Sequence, residues 1–262
     1  MNKCLVTKLN GIVDNASLLK LGEFKFTITP PSSGAVTVML GSNVTIHTLN
    51  GEQSLSKSSD GSNPTNSTTC RDADDKVYVT KSNSSNTDIV VEDKYNLRFF
   101  GLNNYNSMNS VNADFSGLSF CKNLEEFKLE GANTNLSDDI GFLKNANILK
   151  VVQCDTNNFV GSISVFKNKT KLVKCLIQST NLTGDIIAFD KCLELNELAL
   201  QGSGITGNIK NLCESLHNNG KVSGNIKFSF YNTNVKLDND TLYTDTVIAT
   251  FTSSGVTYQV QS

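Results

Sequence analysis

The sequence predicts a mainly β protein built as a small N-terminal β domain, a solenoid with parallel β stacking and a C-terminal β-hairpin cap. Three apolar columns lead to this prediction, because each recurs at a fixed interval of 23 residues. The columns are Leu136, Phe159, Leu182 and Ile205; Ile140, Ile163, Ile186 and Ile209; and Leu143, Phe166, Phe189 and Leu212. A period of about 20–29 residues is typical of solenoids, whose coils bury their apolar sides against one another. We therefore expect a β-rich anchoring or oligomerisation domain at 1–92, the solenoid at 93–245 and the cap at 246–262.

The N-terminal region contains short β-type runs separated by turn signals. We predict strands at Met1–Val13, Leu18–Ile28, Ala35–Leu40, Val44–Leu49, Lys76–Thr80 and Thr87–Glu92. Residues Glu23–Ile28 alternate polar and apolar side chains, as a half-buried strand does. The tripeptide Gly41-Ser42-Asn43 predicts a hairpin between the strands that flank it. Asn50–Thr69 has few apolar residues and is predicted to be a long exposed loop or a partly flexible linker.

Each predicted coil follows the pattern L-x-x-L-x-L-x-x-(N/T/S)-x-L-x-G-x-I-x-x-(F/L). The L-x-L part alternates, so we expect a short strand whose apolar side chains point inward and whose neighbours stack in parallel. A polar position after the strand is expected to bond free backbone groups, and it holds Asn157, Thr180, Ser203 and Thr233. Extra residues after Leu102, Leu129 and Leu212 are predicted to form loops on one side of the solenoid.

The coil pattern resembles leucine-rich repeats of the kind that carries L-x-G-x-I after the strand, a form found in plant receptors. The resemblance covers Leu97 to Leu242 and implies a leucine-rich-repeat-like solenoid. No Pro follows the Ile, and the polar position holds Thr or Ser more often than Asn. The resemblance therefore implies the fold and not a receptor function.

Residues after Leu242 leave the repeat pattern. Thr246–Thr252 and Val256–Val260 flank Ser253-Ser254-Gly255, which predicts a β-hairpin. The open end of a solenoid core needs a cover, and we expect this hairpin to supply it.

A candidate binding face follows from the leucine-rich-repeat resemblance. Side chains between the strand leucines of such repeats lie on the concave surface. One column of these holds Asn103, Glu130, Asp155, Gln178, Gln201 and Tyr231, and its neighbour holds Lys128, Gln153, Leu176, Ala199 and Ser229. We predict that Glu130, Asp155, Gln178, Gln201 and Tyr231 contact a ligand or partner, either a glycan or a protein. An ordinary solvated sheet face is the alternative interpretation.

Composition and motifs exclude several classes of function. The formal net charge is −2 and Lys and Arg are dispersed, so nucleic acid is not an expected partner. No apolar run approaches the ~20 residues of a membrane span, so no membrane insertion is expected. We predict no enzyme, no catalytic residue and no cofactor, because no nucleophile or phosphate-loop motif is present and His47 and His217 are isolated. Paired carboxylates could still serve a glycan-active enzyme, which stays a further alternative.

Metal sites and disulfides are not expected either. Asp72-Ala73-Asp74-Asp75 lacks the Gly and the distal Glu of a calcium loop, which favours a solvated turn. Asp138 and Asp139 are expected to favour the N-terminal end of a short helical turn. The seven cysteines form no C-x-x-C pair, so we predict buried free thiols, with a disulfide framework or a zinc site as alternatives.

The opening of the chain bears on the compartment and the assembly. Lys8 and Asn10 interrupt the apolar run of a signal peptide, so we expect either a trimmed leader or assembly in cytoplasm. Residues 2–11 and 19–23 resemble the N-terminus of proteins from gut Bacteroidales and their crAss-like bacteriophages, several of which are virion structural proteins, including head fibres.

This second resemblance implies a structural protein of a bacteriophage virion, either a head fibre or a capsid decoration. We expect other virion proteins as partners, a homo-oligomer, and attachment to a host surface glycan. The expected location is the virion, after assembly in the host cytoplasm. A bacterial cell-surface leucine-rich-repeat adhesin is the alternative.

Overall fold

The structure is a computed structural model that describes the backbone of much of the chain after residue 23. The described residues are 24–29, 34–41, 44–48, 53–57, 67–70, 76–81, 87–92, 97–103, 110–113, 115–130, 138–154, 158–178, 181–202, 204–238 and 246–261. Side chains are described at 90–91, 97–101, 115–129, 138–154, 158–178, 181–202, 204–238 and 246–261. The strand predicted at Met1–Val13, the acidic turn at Asp72–Asp75 and the residues that resemble phage proteins lie outside these ranges.

The described residues contain β-strands, four 3-10 helices and one α-helix. The N-terminal strands are β1 (Phe24–Thr29), β2 (Gly34–Gly41), β3 (Val44–Thr48), β4 (Gln53–Lys57), β5 (Ser67–Cys70), β6 (Lys76–Lys81), β7 (Thr87–Glu92), β8 (Phe99–Asn103) and β9 (Ser110–Ala113). The later strands are β10 (Glu126–Glu130), β11 (Val151–Cys154), β12 (Val160–Ser162), β13 (Lys174–Gln178), β14 (Asn181–Asp185), β15 (Glu197–Gln201), β16 (Gly204–Asn208), β17 (Gly224–Tyr231), β18 (Asn234–Lys236), β19 (Thr246–Thr252) and β20 (Gly255–Gln261).

Successive N-terminal strands alternate between two sheets. The odd-numbered strands form a five-stranded sheet in the order β5-β3-β7-β1-β9, and the even-numbered strands join an eleven-stranded sheet through β2-β6-β4. The hairpin predicted around Gly41 is therefore wrong, because β2 pairs with β6 and β8 whereas β3 pairs with β5 and β7. A short Gly-Ser-Asn connection also allows the chain to pass from one sheet to the other, so its composition does not distinguish the two outcomes.

The long loop predicted at Asn50–Thr69 is also wrong in part, because β4 and most of β5 lie inside it. Both are edge strands of their sheets. An edge strand is paired on one side alone, so it needs fewer apolar residues than a central strand to remain in place. That explains why a segment rich in Ser and Asn forms strands without a strong apolar pattern.

The eleven-stranded sheet connects the N-terminal strands to the solenoid. Its order is β20-β19-β17-β15-β13-β11-β10-β8-β2-β6-β4. The strands from β8 to β17 pair in parallel, β2 pairs antiparallel with β8, and β19 pairs antiparallel with β17. Strand pairs therefore cross the predicted boundary at residues 92 and 93, while the boundary itself stays a prediction. The fold is mainly β, with a leucine-rich-repeat-like solenoid of stacked parallel strands.

The solenoid core consists of the predicted apolar columns. No more than 1% of any described member is exposed to solvent. These members are Phe159, Leu182, Ile205, Ile140, Ile163, Ile186, Ile209, Leu143, Phe166, Phe189 and Leu212. Each such side chain contributes about 1.5–3 kcal/mol of hydrophobic free energy relative to an exposed one. Because each coil covers the apolar side of the next, this contribution depends on stacking.

A second parallel sheet, β12-β14-β16-β18, runs along the L-x-G-x-I segments and was not predicted. Its turns need glycine: Gly161, Gly184 and Gly207 have φ values of 104°, 121° and 123°. A Cβ atom on Gly207 would stand 2.6 Å from Asp185 Oδ1. Each glycine thus combines a left-handed backbone with close contact to the preceding coil.

The residue before each repeated Ile caps the helix that follows. The side chains of Asp139, Ser162 and Asp185 each accept a hydrogen bond from the backbone N–H two residues later, at 2.8, 3.1 and 2.8 Å. They begin 3-10 helices at Ile140–Leu143, Ile163–Phe166 and Ile186–Phe189, after a first one at Phe115–Phe120. The helical turn predicted after Asp138 and Asp139 is confirmed.

The fifth coil carries an α-helix, α1 (Ile209–Asn218), where a loop was predicted after Leu212. Asn208 caps it by accepting a hydrogen bond from Asn211 N at 3.0 Å. The buried side chains of α1 are Ile209, Leu212, Cys213 and Leu216, which have helical spacing. The extra residues of this coil therefore lengthen the short helix instead of forming a loop.

The predicted C-terminal hairpin is confirmed, since β19 and β20 pair antiparallel across a two-residue turn. The inward side chains of β19, which are Val247, Ala249 and Phe251, are buried. Lys221 is also buried, and its ammonium lies 5.4 Å from the ring centre of Phe251. The hairpin thus covers the last parallel strand of the core.

Free thiols occur where the sequence predicts them. Cys121, Cys154, Cys175, Cys192 and Cys213 are free and buried, while the side chains of Cys4 and Cys70 lie outside the described ones. Burial raises the pKa of the Cys192 and Cys213 thiols to about 12. Among the four residues at the predicted polar position after the strand, the structure describes Thr233. Its Oγ1 accepts a hydrogen bond from Val235 N at 3.3 Å.

Candidate binding face

The large sheet has an open face, formed by the side chains that point away from the core. Strand pairing aligns the residues at the alternate positions in three rows. The first row is Phe99, Glu126, Val151, Lys174, Glu197 and Lys227; the middle row is Gly101, Lys128, Gln153, Leu176, Ala199 and Ser229; the last row contains Asn103, Glu130, Gln178, Gln201 and Tyr231. Members of a row that stand on directly paired strands have backbones about 4.8 Å apart.

The last row holds the predicted binding residues. Gln178 lies opposite Gln201, and Gln201 lies opposite Tyr231, so their predicted alignment is confirmed. Glu130 lies in β10 opposite Asn103, and its side chain is outside the described ones. Asp155 lies outside the described residues altogether. That the row binds a ligand stays a prediction.

Tyr231 is the large apolar side chain of this row, and 61% of it is exposed to solvent. It is the last residue of β17 and is followed by Asn232, which has a positive φ of 49°. Gln201 is half-buried beside it and Gln178 is exposed. An aromatic ring next to two amides offers an apolar surface together with both hydrogen-bond donors and acceptors.

The first row is charged and internally paired. Glu197 accepts from Lys174 Nζ at 3.0 Å and lies 3.8 Å from Lys227 Nζ, so one carboxylate serves three adjacent strands. Glu126 pairs with Lys128 of the middle row at 2.5 Å. These partly exposed pairs contribute little stability each, about 0–1 kcal/mol, but they leave this part of the face nearly neutral.

A tighter ion cluster lies at the start of the strands. The buried carboxylate of Glu125 pairs with Arg98 of the preceding coil, and with Lys150 of the following coil at 2.7 Å. Burial alone raises the pKa of Glu125, but the hydrogen bonds and charges of Lys150 and Arg98 outweigh it and lower the pKa below its usual value. The cluster ties three coils together at the rim of the open face.

A groove of about 480 Å³ lies along the second sheet, between β14, β16, β18 and the start of α1. Its lining residues are Asp185, Ile187, Thr206, Gly207, Asn208, Asn211, Asn234 and Lys236. Two of its polar side chains, Asp185 and Asn208, already cap helices. The groove therefore offers fewer free polar groups than its composition indicates.

The described residues contain no group of three or more His, Cys, Asp or Glu that could hold a metal ion. His217 Nδ1, in the last turn of α1, lies 3.3 Å from the carbonyl oxygen of Lys221, which follows the helix. Across the described part of the chain, no helix combines the length and the apolar character needed to span a bilayer.

Sequence reasoning placed Asp139 at the start of a helical turn, but it missed the first row and the equivalent caps Ser162, Asp185 and Asn208. The first row stands two positions before the middle row on every strand, so strand alternation alone could have identified it. The caps Asp139, Ser162, Asp185 and Asn208 share the interval of 23 residues with the apolar columns. Each is a preferred N-cap type placed directly before the repeated Ile.

Comparison with known proteins adds a distant structural similarity. No family model and no curated protein matches the chain. Among solved structures, it is similar to internalin C2 from Listeria monocytogenes, at 13% identity and a TM-score of 0.31. The match covers 56% of this chain and 76% of the internalin chain.

Proposed function

We propose that the chain is a non-enzymatic display protein whose open face binds a partner through its last row. The observation that carries this proposal is the exposed Tyr231 ring beside the amide of Gln201. A pyranose ring has an apolar C–H side that can bury area on an aromatic ring, and its hydroxyls can bond to amides. A host surface glycan is thus the partner that this chemistry favours.

The absence of enzyme activity is part of the proposal, and the spacing of the two carboxylates in the first row supports it. Glu126 and Glu197 are the carboxylates of the first row, and three strand intervals of about 4.8 Å place their backbones about 14 Å apart. Glycoside hydrolysis uses two carboxyl groups about 5–9.5 Å apart. Each of these glutamates is also paired with a lysine, which favours a structural role.

We further propose that the protein belongs to a bacteriophage virion, as a head fibre or a capsid decoration, with other virion proteins and further copies of itself as partners. The resemblance of residues 2–11 and 19–23 to virion structural proteins supports this location. Five buried free thiols also support it, because unpaired cysteines are common in proteins that assemble in a reducing cytoplasm.

A bacterial cell-surface adhesin is the second candidate, since an open polar sheet face serves attachment in either setting. The two candidates differ in where the protein resides. An antiserum against the recombinant protein, used for immunogold electron microscopy of purified virions and of bacterial cells, distinguishes them. Regular labelling of the virion surface supports the proposal, whereas labelling confined to the envelope of uninfected cells contradicts it and supports the adhesin.

A further inference from the structure

The last strand of the large sheet, β20, has an unpaired outer edge within the part of the chain that the structure describes. It pairs with β19 on one side and ends the sheet on the other. Its sequence, Gly-Val-Thr-Tyr-Gln-Val-Gln, contains neither a charged residue nor a proline. Natural sheets usually protect such an edge with lysine, proline, a bulge or a short strand. β20 has seven residues and none of these devices.

The two sides of β20 differ in character. Val256, Tyr258 and Val260 lie opposite the buried residues of β19 and therefore on the core side. Val256 and Tyr258 pack against the core, whereas Val260 remains 50% exposed. Thr257 and Gln259 lie on the open face and are exposed. The edge thus combines available backbone groups with an uncovered apolar side chain.

We propose that β20 pairs antiparallel with β20 of a second copy of the chain, around a two-fold axis at Tyr258. This inference rests on the homo-oligomer of the proposed function and names the surface that forms it. A two-fold axis perpendicular to the sheet places each residue opposite its mirror position, as in any isologous interface. Val256 then lies opposite Val260 of the second copy, and Thr257 lies opposite its Gln259.

This register matches the side chains from Val256 to Val260 with side chains of similar chemistry. On the core side, the Val256 and Val260 pairs and the paired Tyr258 rings bury apolar surface. On the open face, the Thr257 and Gln259 pairs are polar and neutral, so no like charges oppose one another. The two open faces join into one continuous surface, which places two Tyr231 rows in one assembly and raises avidity.

Two double variants of the full chain test, by added charges, which residues of the two β20 strands lie opposite one another. Thr257→Lys/Gln259→Lys places like charges opposite one another at both open-face pairs. Thr257→Lys/Gln259→Glu uses the same two positions but places opposite charges there. Asn181→Lys/Asn196→Lys is the matched control, because both asparagines are exposed and lie off β20 while the added charge is the same.

Sedimentation velocity over about 1–100 µM chain measures the dimer dissociation constant of each protein. We expect wild type, the control and the Lys/Glu variant to dimerise, and the Lys/Lys variant to dissociate about tenfold more readily or worse. Thermal unfolding of each variant verifies that the fold is retained. A monomeric wild type overturns both this inference and the proposed homo-oligomer. A wild-type oligomer that neither variant alters overturns the β20 assignment alone and leaves the proposed function standing.

Discussion

The ammonium of Lys169 donates a hydrogen bond to the carbonyl oxygen of Lys144, one coil earlier, at 2.7 Å. Lys169 is 2% exposed and stands in a core position that neighbouring coils fill with Ala146 and Cys192. The bond satisfies the carbonyl oxygen of the residue that ends the 3-10 helix Ile140–Leu143, and a cation is favourable at the C-terminal end of a helix. Burial lowers the pKa of Lys169 from 10.5 to about 8, against a smaller opposing effect of Cys192.

The lowered pKa predicts a pH dependence of stability. Between pH 8 and 10.5 the unfolded chain keeps a proton at this lysine that the folded chain has lost, so this group makes unfolding harder as pH rises. Below pH 8 the folded protein carries the full cost of burying the charge. We expect Lys169→Met to raise the free energy of unfolding at pH 7 by about 1–2 kcal/mol, after allowing for the lost hydrogen bond.

Denaturant titrations of wild type and Lys169→Met from pH 7 to 10.5 measure this difference. The gain should shrink as the pH passes 8 and approaches 10.5. Buried thiols change stability in both proteins alike, so the difference between them reports the lysine. Lys171→Met is the control, because Lys171 is exposed. An equal pH dependence in both variants would contradict the prediction.

The Glu125 cluster predicts a contribution that stabilises the folded protein at pH 7 and is lost in acid, whereas the buried charge of Lys169 destabilises it at pH 7. A carboxylate whose folded pKa is lowered stabilises the protein above its unfolded pKa of about 4.3, and this stability is lost as pH falls through the folded pKa. Glu125→Gln should lower the free energy of unfolding at pH 7 by about 1–2 kcal/mol and flatten the loss of stability below pH 5. Glu194→Gln, at an exposed pair with Lys171, should change it by less than about 0.5 kcal/mol. Equal effects of the two variants in urea titrations would show that the cluster does not hold the coils together.

Glycine geometry predicts a contrast between two positions with positive φ. Gly207→Ala should cost about 2–4 kcal/mol, because the new Cβ meets Asp185 Oδ1 and Ile186 Cγ1, both at 2.6 Å, and the backbone is strained as well. Gly220→Ala has a φ of 109° but its nearest contact is 4.0 Å away, so it should cost about 1 kcal/mol from strain alone. Chemical denaturation of the two variants compares them. A Gly220→Ala protein as unstable as Gly207→Ala would mean that crowding between coils is unimportant.

Removing one of the helix-capping side chains should cause a smaller loss of stability. Asp185→Ala removes the acceptor for Ile187 N at 2.8 Å and should lower the free energy of unfolding by about 1 kcal/mol. Asp185→Asn keeps an oxygen acceptor and should retain most of that stability. Urea titrations of both variants test the assignment, and a loss as large in the Asn variant as in the Ala variant would remove capping as the explanation.

The apolar columns made the solenoid predictable, because residues such as Leu182 and Ile186 can recur every 23 positions only if coils stack at that period. The parallel register of β13 and β15 follows from the same repetition, which aligns Gln178 with Gln201, whereas the register of β17 follows from the alternating Phe228 and Phe230, which place Tyr231 next to Gln201 despite the extra residues of that coil. In both cases the signal repeats along the sequence.

The N-terminal topology was not predictable from local signals. Gly41-Ser42-Asn43 indicates a tight connection, but the sheet that each flanking strand joins depends on distant partners such as β8 for β2 and β7 for β3. The burial of Lys169 was missed for a related reason, since a lysine in an apolar column gives no sign that a carbonyl of the previous coil will accept a hydrogen bond from its ammonium group. Long-range pairing decides both features.

If the proposed virion function holds, the N-terminal resemblance points to Bacteroidales as the host. Binding of fluorescently labelled recombinant protein to such cells, measured by flow cytometry, then tests most directly whether the last row of the open face is the attachment site. Wild type should bind saturably, and Tyr231→Ala should weaken binding about tenfold or more, as loss of an exposed aromatic contact does. Phe120→Ala is the matched control, because Phe120 is 54% exposed but lies in a 3-10 helix away from the open face, and it should bind as wild type does. Equal binding by wild type and Tyr231→Ala would contradict the account.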